Sequence, residues 1–406
     1  MLHSLQTHTV RGTLFTVFLI ASCAMAAAQP TFQVLYSFTD QSDGVAPVGG
    51  LAIGADGVLY GTTAGGSHGP ALDGTIFSLT PPASPSGTWT LATLVDLENE
   101  PGLDSHPKNK MVLGKGGILY CATTGPGVAF ALTPPASGGS SWTPAPLYDF
   151  GYATGYPPSD LVLGSHGELY GTTPTTAFVL KPPAVSGGSW TERTLHVFTG
   201  TPEDGSAPSG GVVIGEGGVL YGATSSGGLY NEGTVYSLAP PAAQSDRWIE
   251  TILYNFPAGT GAVSPRATLT IGARGVLYGV TSGTAFSLTP PASPGAAWTE
   301  AVIYTFSSDE ESPPSAGLAI GNGGVLYGVN AGDGFGGTVF SLTPPTSPGG
   351  VWTFTALYSM EGSTGRLPQA PLAIGKDGVL YGTAPSGGIY EPPYGLGCGI
   401  VFSITP

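Results

Sequence analysis

One unit of about 53 residues recurs seven times along this chain, and it constrains the fold more than any other feature. The copies align on a Leu-Tyr pair, and the copy from Leu318 to Met360 shows the unit clearly. A fixed period of roughly 40 to 50 residues is typical of propellers and repeat arrays. The aligned tyrosines are Tyr60, Tyr120, Tyr170, Tyr221, Tyr278, Tyr327 and Tyr381.

Each unit contains four short apolar runs separated by turn residues. In the copy that begins at Leu318 they read LAIG, VLYG, TVFSLTPP and WTFTALYSM. Runs rich in Val, Thr, Tyr, Phe and Trp and bounded by Gly and Pro predict short antiparallel strands. The Pro-Pro pair lacks two backbone donors and therefore ends the third strand. Four strands in each of seven units predict an all-β fold, a seven-bladed β-propeller of four-stranded antiparallel blades.

The two ends of the chain complement each other. Six units carry the fourth strand with its tryptophan, whereas the seventh stops at Pro406 before that strand. The segment from Thr31 to Phe38, TFQVLYSF, matches the missing strand, with Pro30 in place of the tryptophan. We therefore expect the N-terminal strand to complete the last blade and to cover a sheet edge that would otherwise pair with other chains. Residues 29–406 then form a single propeller domain.

The six tryptophans recur at one position of the unit. This regularity predicts that they are largely buried packing residues at equivalent places in their blades, because ligand-contacting residues usually differ between copies. They are Trp89, Trp142, Trp190, Trp248, Trp298 and Trp352.

Residues 1–28 have the pattern of a secretory signal peptide. Arg11 precedes the apolar run GTLFTVFLIASCAMAAA, and the small residues Ala26 to Ala28 offer a cleavage site. The run is short for a membrane span. We expect a secreted protein, extracellular or periplasmic, with no transmembrane span in the mature chain. An alternative is a lipid anchor, since the segment that ends at Cys23 (Ile-Ala-Ser-Cys) resembles a bacterial lipobox.

The charge balance excludes one class of partner. The chain has 26 acidic and 11 basic residues, a formal net charge of −15, and charged residues make up 9% of it. Nucleic-acid binding needs a basic surface. We therefore expect no nucleic-acid partner, and a monomer that binds an unidentified protein or glycan.

Variation between the copies is concentrated at one end of the predicted ring. The loop after the second strand and the crossover after the fourth strand lie at the same end of an antiparallel blade, and we call this end the loop face. Its charged residues are mostly acidic, against Lys108, Lys110, Arg266 and Arg366. Variable loops on a rigid scaffold often carry binding sites, although these loops are also explained as a solvated surface. The predicted binding face comprises Asp40, Asp43, Glu98, Asp104, Glu203, Asp204, Glu232, Asp309, Glu310, Glu311, Asp333, Tyr230, Tyr390 and Tyr394.

Calcium is a candidate ligand of the loop face. Ca²⁺ accepts irregular cages of carboxylate and carbonyl oxygens. The candidate ligands are the adjacent acids Asp309, Glu310 and Glu311, or Asp40 with Asp43. The alternative is screening of the acidic face by salt without a specific site. We expect no other cofactor, since the sequence contains no Cys/His metal-ligand spacing and no EF-hand loop.

Two short motifs match functional patterns without the required context. Residues 65–69 satisfy GxSxG, but no helix follows the serine. Residues 332–337 satisfy GxGxxG but lead into a strand rather than a helix. No catalytic residue is predicted.

The unit resembles a known repeat. Where GGxxxxGTVFSLTPP follows LYGTT, the chain is similar to the Gloeo/Verruco (GloVer) tandem-repeat family, with the best copies at 49–82, 210–241 and 317–345. This resemblance implies an exported bacterial protein, often with a C-terminal sorting anchor, and no established activity. The chain ends at Pro406 without such an anchor, which leaves release or a lipid on Cys23. A weaker likeness to kelch repeats, in Gly65-Gly66, Phe77 and Trp89, supports only the propeller fold.

Two functions follow as hypotheses. The first is an exported, non-enzymatic binding or scaffold propeller for a cell-surface, matrix or carbohydrate partner. The alternative is a polysaccharide-acting hydrolase or lyase with carboxylates at the propeller channel. Glycosidic acid–base chemistry needs two carboxyl groups that flank the scissile bond. The hypotheses therefore differ in whether two acids from non-adjacent copies meet at the channel mouth.

Overall fold

The chain folds into seven antiparallel sheets. The computed structural model describes residues 29–39, 43–66, 73–84, 86–100, 102–103, 106–124, 127–136, 139, 141–151, 158–185, 187–242, 247–259, 263–293, 295–306, 312–332, 336–347, 349–389 and 397–406. The predicted seven-bladed β-propeller is confirmed. No helix within these ranges is both long and apolar enough to cross a bilayer. The predicted signal peptide, with Cys23, lies outside the described residues.

The strands follow the chain blade by blade, from the channel outward. Blades 1 to 3 comprise β2 (Ala52–Ile53), β3 (Leu59–Thr62), β4 (Thr75–Thr80) and β5 (Thr90–Asp96); β6 (Val112–Leu113), β7 (Leu119–Ala122), β8 (Val128–Thr133) and β9 (Thr143–Asp149); and β10 (Val162–Leu163), β11 (Leu169–Thr172), β12 (Thr176–Lys181) and β13 (Thr191–Val197). The first strand of the chain, β1 (Thr31–Ser37), precedes them and belongs to the last blade.

The remaining blades repeat this order, with one additional strand in blade 4. Blades 4 to 7 comprise β14 (Gly205–Pro208), β15 (Val213–Ile214), β16 (Leu220–Gly227), β17 (Thr234–Ala239) and β18 (Ile249–Asn255); β19 (Arg266–Ile271), β20 (Leu277–Val280), β21 (Thr284–Thr289) and β22 (Thr299–Thr305); β23 (Ala319–Ile320), β24 (Leu326–Asn330), β25 (Gly336–Thr343) and β26 (Thr353–Glu361); and β27 (Ala373–Ile374), β28 (Leu380–Ala384) and β29 (Ile400–Thr405). Short 3-10 turns occupy Leu97–Asn99, Lys115–Gly117, Glu216–Gly218, Ala273–Gly275, Asn322–Gly324 and Gly362–Thr364.

Strand β1 closes the ring as the sequence predicts. It is the outer strand of blade 7, in the order β1-β29-β28-β27, with Thr31 opposite Thr405. The ring of Phe32 also stacks on Tyr358 of blade 6, with centroids 3.8 Å apart and an interplanar angle of 4°. The N-terminal strand therefore joins the last blade both to its own sheet and to its neighbour.

The Leu-Tyr-Gly segment recurs because its glycine makes room for a core ring. A Cβ atom at Gly61 would lie 2.5 Å from Cζ of Phe77 on the adjacent strand, so a larger residue requires the ring to shift. Six blades have glycine here, and blade 2 has Cys121 opposite Phe130. Rings at this position are fully buried in every blade, and tyrosine replaces phenylalanine in blade 4. The set is Phe77, Phe130, Phe178, Tyr236, Phe286, Phe340 and Phe402.

The tryptophans occupy equivalent places, as predicted. Each indole lies edge-on to the Leu-Tyr tyrosine of the preceding blade, as Trp142 does to Tyr60 with centroids 6.0 Å apart. Trp89 makes the same contact with Tyr381 across the ring closure, at 6.1 Å. None of the six indoles is exposed; each is partly buried and packs against the core cluster between two blades. They are inter-blade packing residues with one accessible side.

Every outer strand contains a β-bulge. In blade 3, Phe178 lies opposite Thr194 and Ala177 opposite His196, so Leu195 is the extra residue. A bulge re-aims the side chains around it. Leu195 and His196 consequently both line the space between blades 3 and 4, although they are consecutive in the chain.

Candidate functional site at the channel mouth

The inner strands surround a channel that opens on the loop face. Its mouth is a cavity of about 590 Å³. Polar side chains from six blades line it, namely Lys108, Asn109, Lys110, Ser159, Asp160, Ser209, Thr268, Thr270, Ser315 and Gln369. A second cavity of about 480 Å³ shares Leu161, Val162 and Ala319 with the first and has an otherwise apolar wall, apart from Lys110. The mouth is therefore a polar ring above an apolar floor.

Hydrogen bonds join each blade to the next around this mouth. They join the segments before the inner strands to one another and to residues of the first and second strands, so the sheets themselves hold the polar ring. The donor and acceptor pairs, in ring order, are Met111 N to Gly50 O (3.2 Å), Asn109 Nδ2 to Pro158 O (2.9 Å), Thr172 Oγ1 to Gly210 O (2.6 Å), Gly211 N to Thr268 Oγ1 (3.0 Å), Thr270 Oγ1 to Leu318 O, Ser315 Oγ to Pro368 O (2.6 Å) and Thr383 Oγ1 to Gly49 O (3.2 Å). Such pre-formed concave sites are typical of small-ligand binding.

Asp160 is the acid of the mouth. Its Oδ1 accepts a hydrogen bond of 2.8 Å from the backbone amide of Lys110. Burial raises the pKa of Asp160, and the hydrogen bond and positive charge of Lys110 offset this only in part. Among the described residues that line the mouth, no second carboxylate faces Asp160. The paired acids of a glycosidic site are thus not assembled by the described part of the mouth.

Asp43 and Asp204, two acids of the predicted binding face, are buried within their own crossovers. Asp43 accepts hydrogen bonds from the Tyr36 hydroxyl (2.9 Å) and from the amide and hydroxyl of Thr39 (2.9 and 3.1 Å). Asp204 accepts them from the amide and hydroxyl of Thr199, both at 2.8 Å. Both carboxylates therefore hold the backbone of a crossover.

His196 adds a further contact to Asp204, with 3.1 Å between Nε2 and Oδ1. Burial by itself raises the pKa of Asp204. The hydrogen bonds from Thr199 and His196 outweigh burial, so the pKa lies below its ordinary value. The carboxylate is accordingly charged over the whole neutral range.

The other described members of the predicted face are not brought together. Glu98 and Glu203 are exposed on the crossovers that follow blades 1 and 3. Tyr230, which is 51% exposed, and the half-buried Glu232 lie on the loop between β16 and β17. Within the described ranges, no three His, Cys, Asp or Glu side chains are grouped closely enough to hold a metal ion.

The remaining members of the face lie outside the described residues, so the Ca²⁺ site stays a prediction. They are Asp40, Asp104, Asp309, Glu310, Glu311, Asp333, Tyr390 and Tyr394.

One aligned position of the repeat indicates the channel mouth, because two copies carry a charged residue there. A leucine, methionine or valine lies at the start of each inner-strand segment, for example Leu51 in blade 1. The residue before it is small or weakly polar in five copies, whereas blades 2 and 3 have Lys110 and Asp160. The five are Gly50, Gly211, Thr268, Gly317 and Pro371. A charged pair that departs from the repeat at the channel was therefore readable from the alignment of the copies.

The repeat is confirmed by comparison with protein families. Residues 85–283 match the Gloeobacter/Verrucomicrobia repeat. The chain carries this repeat. The match agrees with the resemblance drawn from the sequence, and it covers blades 2 to 4 with parts of blades 1 and 5. No curated protein sequence matches the chain.

Solved propellers share the fold of this repeat protein at low sequence identity. Virginiamycin B lyase from Staphylococcus aureus aligns with a TM-score of 0.57 and 14% identity over 93% of this chain and 100% of the lyase chain. A protein from Lactobacillus plantarum aligns at 0.51 and 15% over 80% of this chain and 86% of that one. The extracellular domain of a B. thetaiotaomicron protein, described as a hybrid two component system, aligns at 0.54 and 12% over 93% of this chain but 41% of that one. These likenesses establish the architecture alone.

Proposed function

We propose that the protein is an exported, non-enzymatic binding propeller that recognises a carbohydrate at the channel mouth on its loop face. The observation that carries this proposal is the pair Lys110 and Asp160, which departs from the repeat where the inner strands begin and lines a cavity of about 590 Å³. The propeller fold, the repeat and the extracellular domain among the similar structures are consistent with it.

The lining suits a polyhydroxylated ligand. Lysine donates, carboxylate accepts, and serine hydroxyls and the Gln369 amide do both. Sugars present hydroxyls around an apolar ring, so they match a circle of mixed donors and acceptors above an apolar floor. A purely hydrophobic ligand would leave these groups without partners, which costs about 1–3 kcal/mol for each buried group.

The second hypothesis, a polysaccharide hydrolase or lyase, has less support from the mouth. General acid–base cleavage of a glycosidic bond uses two carboxyl groups roughly 5 to 9.5 Å apart. The described lining contains Asp160, Lys108 and Lys110, and no second acid. A lining with one carboxylate and two amines favours ligand binding.

A glycan array probed with residues 29–406, followed by calorimetric titration of the best glycan, tests this proposal. We expect saturable binding that weakens at least tenfold in Asp160→Asn and in Lys110→Gln, because each loses a charged hydrogen-bond partner. Glu203→Gln is the matched control, since Glu203 is an exposed acid on the same face. Failure of every glycan to bind, or equal binding by all variants, would contradict the proposal. Release of reducing ends that depends on Asp160 would instead favour the enzymatic alternative.

A further inference from the structure

A groove on the outer rim, between blades 3 and 4, differs from the other junctions between blades. We call it the rim groove. It is about 660 Å³ in volume and is lined by Thr194, Leu195, His196 and Val197 of β13 and by Arg247, Trp248, Ile249 and Glu250 at the start of β18. An adjoining cavity of about 300 Å³ is lined by Arg193, which lies on β13 like His196, and by Arg247 and Trp248.

Aromatic rings fill the same space at two other junctions. Tyr304 of blade 5 stacks on Phe354 of blade 6, with centroids 5.0 Å apart. Tyr358 stacks in the same way on Phe32. At the rim groove these two positions are His196 and Glu250, so no ring pair fills the space. A glutamate also holds the second position in blades 3 and 5, as Glu192 and Glu300, so the basic side chains are what distinguish this junction.

Three departures from the repeat converge on this groove, and each introduces a basic side chain. His196 replaces the tyrosine or valine found in the other outer strands. Arg193 replaces a small or uncharged residue of the outer strand. Arg247 replaces a small or uncharged residue at the position directly before the tryptophan. The corresponding residues elsewhere are Ala92, Ala145, Thr251, Ala301, Thr355 and Gln33 for Arg193, and Thr88, Ser141, Ser189, Ala297 and Val351 for Arg247. His196 is bonded to Asp204, so the positive charge that the groove presents to an anion comes from Arg193 and Arg247.

The acid in the groove also has an unsatisfied atom. Oε1 of Glu250 is buried and has no hydrogen-bond partner among the described residues, and the same holds for Oε1 of Glu300 at the equivalent position of blade 5. Buried polar atoms are nearly always paired, so such an atom indicates a missing donor. Burial and the nearby charge of Asp204 raise the pKa of Glu250 to about 7. Near neutral pH this side chain therefore offers an acceptor to a ligand hydroxyl without always carrying a charge that repels an anion.

We infer that the rim groove binds a carboxylate-bearing sugar, such as a uronic acid residue of a polysaccharide. The guanidinium groups of Arg193 and Arg247 match the planar geometry of a carboxylate, and each has five N–H donors and so serves several acceptors at once. Trp248, half-buried beside them, supplies an aromatic surface for the sugar ring. Glu250 accepts from a ring hydroxyl. This site is separate from the channel mouth and does not depend on binding there.

Calorimetric titration of residues 29–406 with an oligomer of galacturonate, and with a neutral glucose oligomer of equal length, tests the inference. We expect saturable binding of the acidic oligomer, with at least tenfold weaker binding of the neutral one. Arg193→Gln and Arg247→Gln should each weaken binding of the acidic oligomer at least tenfold. Arg266→Gln, which removes an exposed arginine on the loop face, should bind like the wild type. Arg247 is itself exposed, so we expect its substitution to leave the fold intact, which the melting temperature of the variant checks.

Three results would overturn the inference. They are equal affinity for the neutral and acidic oligomers, no saturable binding of the acidic oligomer, and an equal loss in Arg266→Gln. The last would mean that net charge and not the groove governs binding. A loss of binding in Asp160→Asn, with no effect of Arg193→Gln, would place the acidic sugar at the channel mouth and also reject the rim groove.

Discussion

Asp43 and Asp204 close two crossovers of the propeller in the same way. Each carboxylate accepts hydrogen bonds from the amide and hydroxyl of a threonine four or five residues earlier, and from a side chain of the preceding outer strand. Both acids are buried and precede a glycine, and Gly44 has φ of +86°, which other residues rarely adopt. Two acids that resemble surface charges in the sequence are therefore parts of the scaffold.

Replacement of Asp204 by asparagine should destabilise the protein by about 2–3 kcal/mol, because hydrogen bonds to a buried charged group are lost and a donor is placed among donors. Urea unfolding at pH 7 measures the change. Glu203→Gln, at the adjacent exposed position, should stay within about 0.5 kcal/mol of the wild type. Because the folded-state pKa of Asp204 is lowered, its stabilisation is present above its ordinary pKa of 3.8 and is lost as the pH falls through the folded value. An equal difference between variant and wild type at pH 7 and at pH 2 would contradict this account.

Glu250 should give the opposite pH dependence. Its pKa is raised from 4.5 to about 7 in the folded state, so the folded protein holds the proton more tightly. Stability is then greatest below pH 4.5 and decreases as the pH rises to about 7. Glu250→Gln should remove this decrease and be more stable than the wild type at pH 8 by about 1 kcal/mol, a value reduced for solvent screening of a partly exposed group. Melting curves from pH 4.5 to 8 measure the effect, and the exposed Glu98→Gln serves as control. Parallel curves for wild type and Glu250→Gln would show that Glu250 does not titrate in this range.

The N-terminal strand should contribute to stability through Phe32. This ring stacks on Tyr358 and lies 5.6 Å from Phe402, so it joins blade 6 to blade 7. Phe32→Ala should cost about 2–3 kcal/mol, less than for a fully buried phenylalanine because the side chain is half-buried. Gln33→Ala, at the next and exposed position of β1, is the control. A variant that lacks residues 1–39 should in addition aggregate, because the edge of β29 becomes available to other chains. If Phe32→Ala melts like Gln33→Ala, the closure does not depend on this ring.

The sequence predicted those features that recur with the repeat. The strands, the Pro-Pro ends and the completion of blade 7 by β1 depend on residues that return about every 53 positions, so each copy supports the others. The channel mouth and the rim groove depend on departures from the repeat. His196 and Glu250 lie in different copies, and their junction is known only once the packing of neighbouring blades is fixed.

The burial of Asp43 and Asp204 could have been predicted. The pattern Phe-Thr followed by Asp-Gly begins at Phe38 and again at Phe198, and a motif shared by two crossovers indicates a structural role. Because these two acids lie on loops with many other acids, the sequence pattern assigned them to the exposed binding face and not to the scaffold. The recurrence of the tryptophans predicted their equivalent places in the blades, but it could not predict which side of each indole stays accessible.

The last prediction concerns Tyr236, which occupies the core position held by phenylalanine in the other blades. Its hydroxyl is fully buried, has no hydrogen-bond partner among the described residues and points at Gly222, where a Cβ atom would lie 2.3 Å away. Burial, together with the charge of Glu250, raises the pKa of Tyr236, so the group stays neutral. Tyr236→Phe should therefore keep the fold and stabilise it by about 1 kcal/mol, since an unpaired buried hydroxyl costs roughly 1–3 kcal/mol and the small void offsets part of the gain. The reverse change at an equivalent site, Phe286→Tyr, should destabilise by about 2 kcal/mol, because it adds an unpaired hydroxyl against Gly279 and Leu269. Denaturant unfolding of the two variants measures both signs. A loss of stability in Tyr236→Phe would mean that the hydroxyl has a partner, such as a buried water, and that blade 4 is built around it.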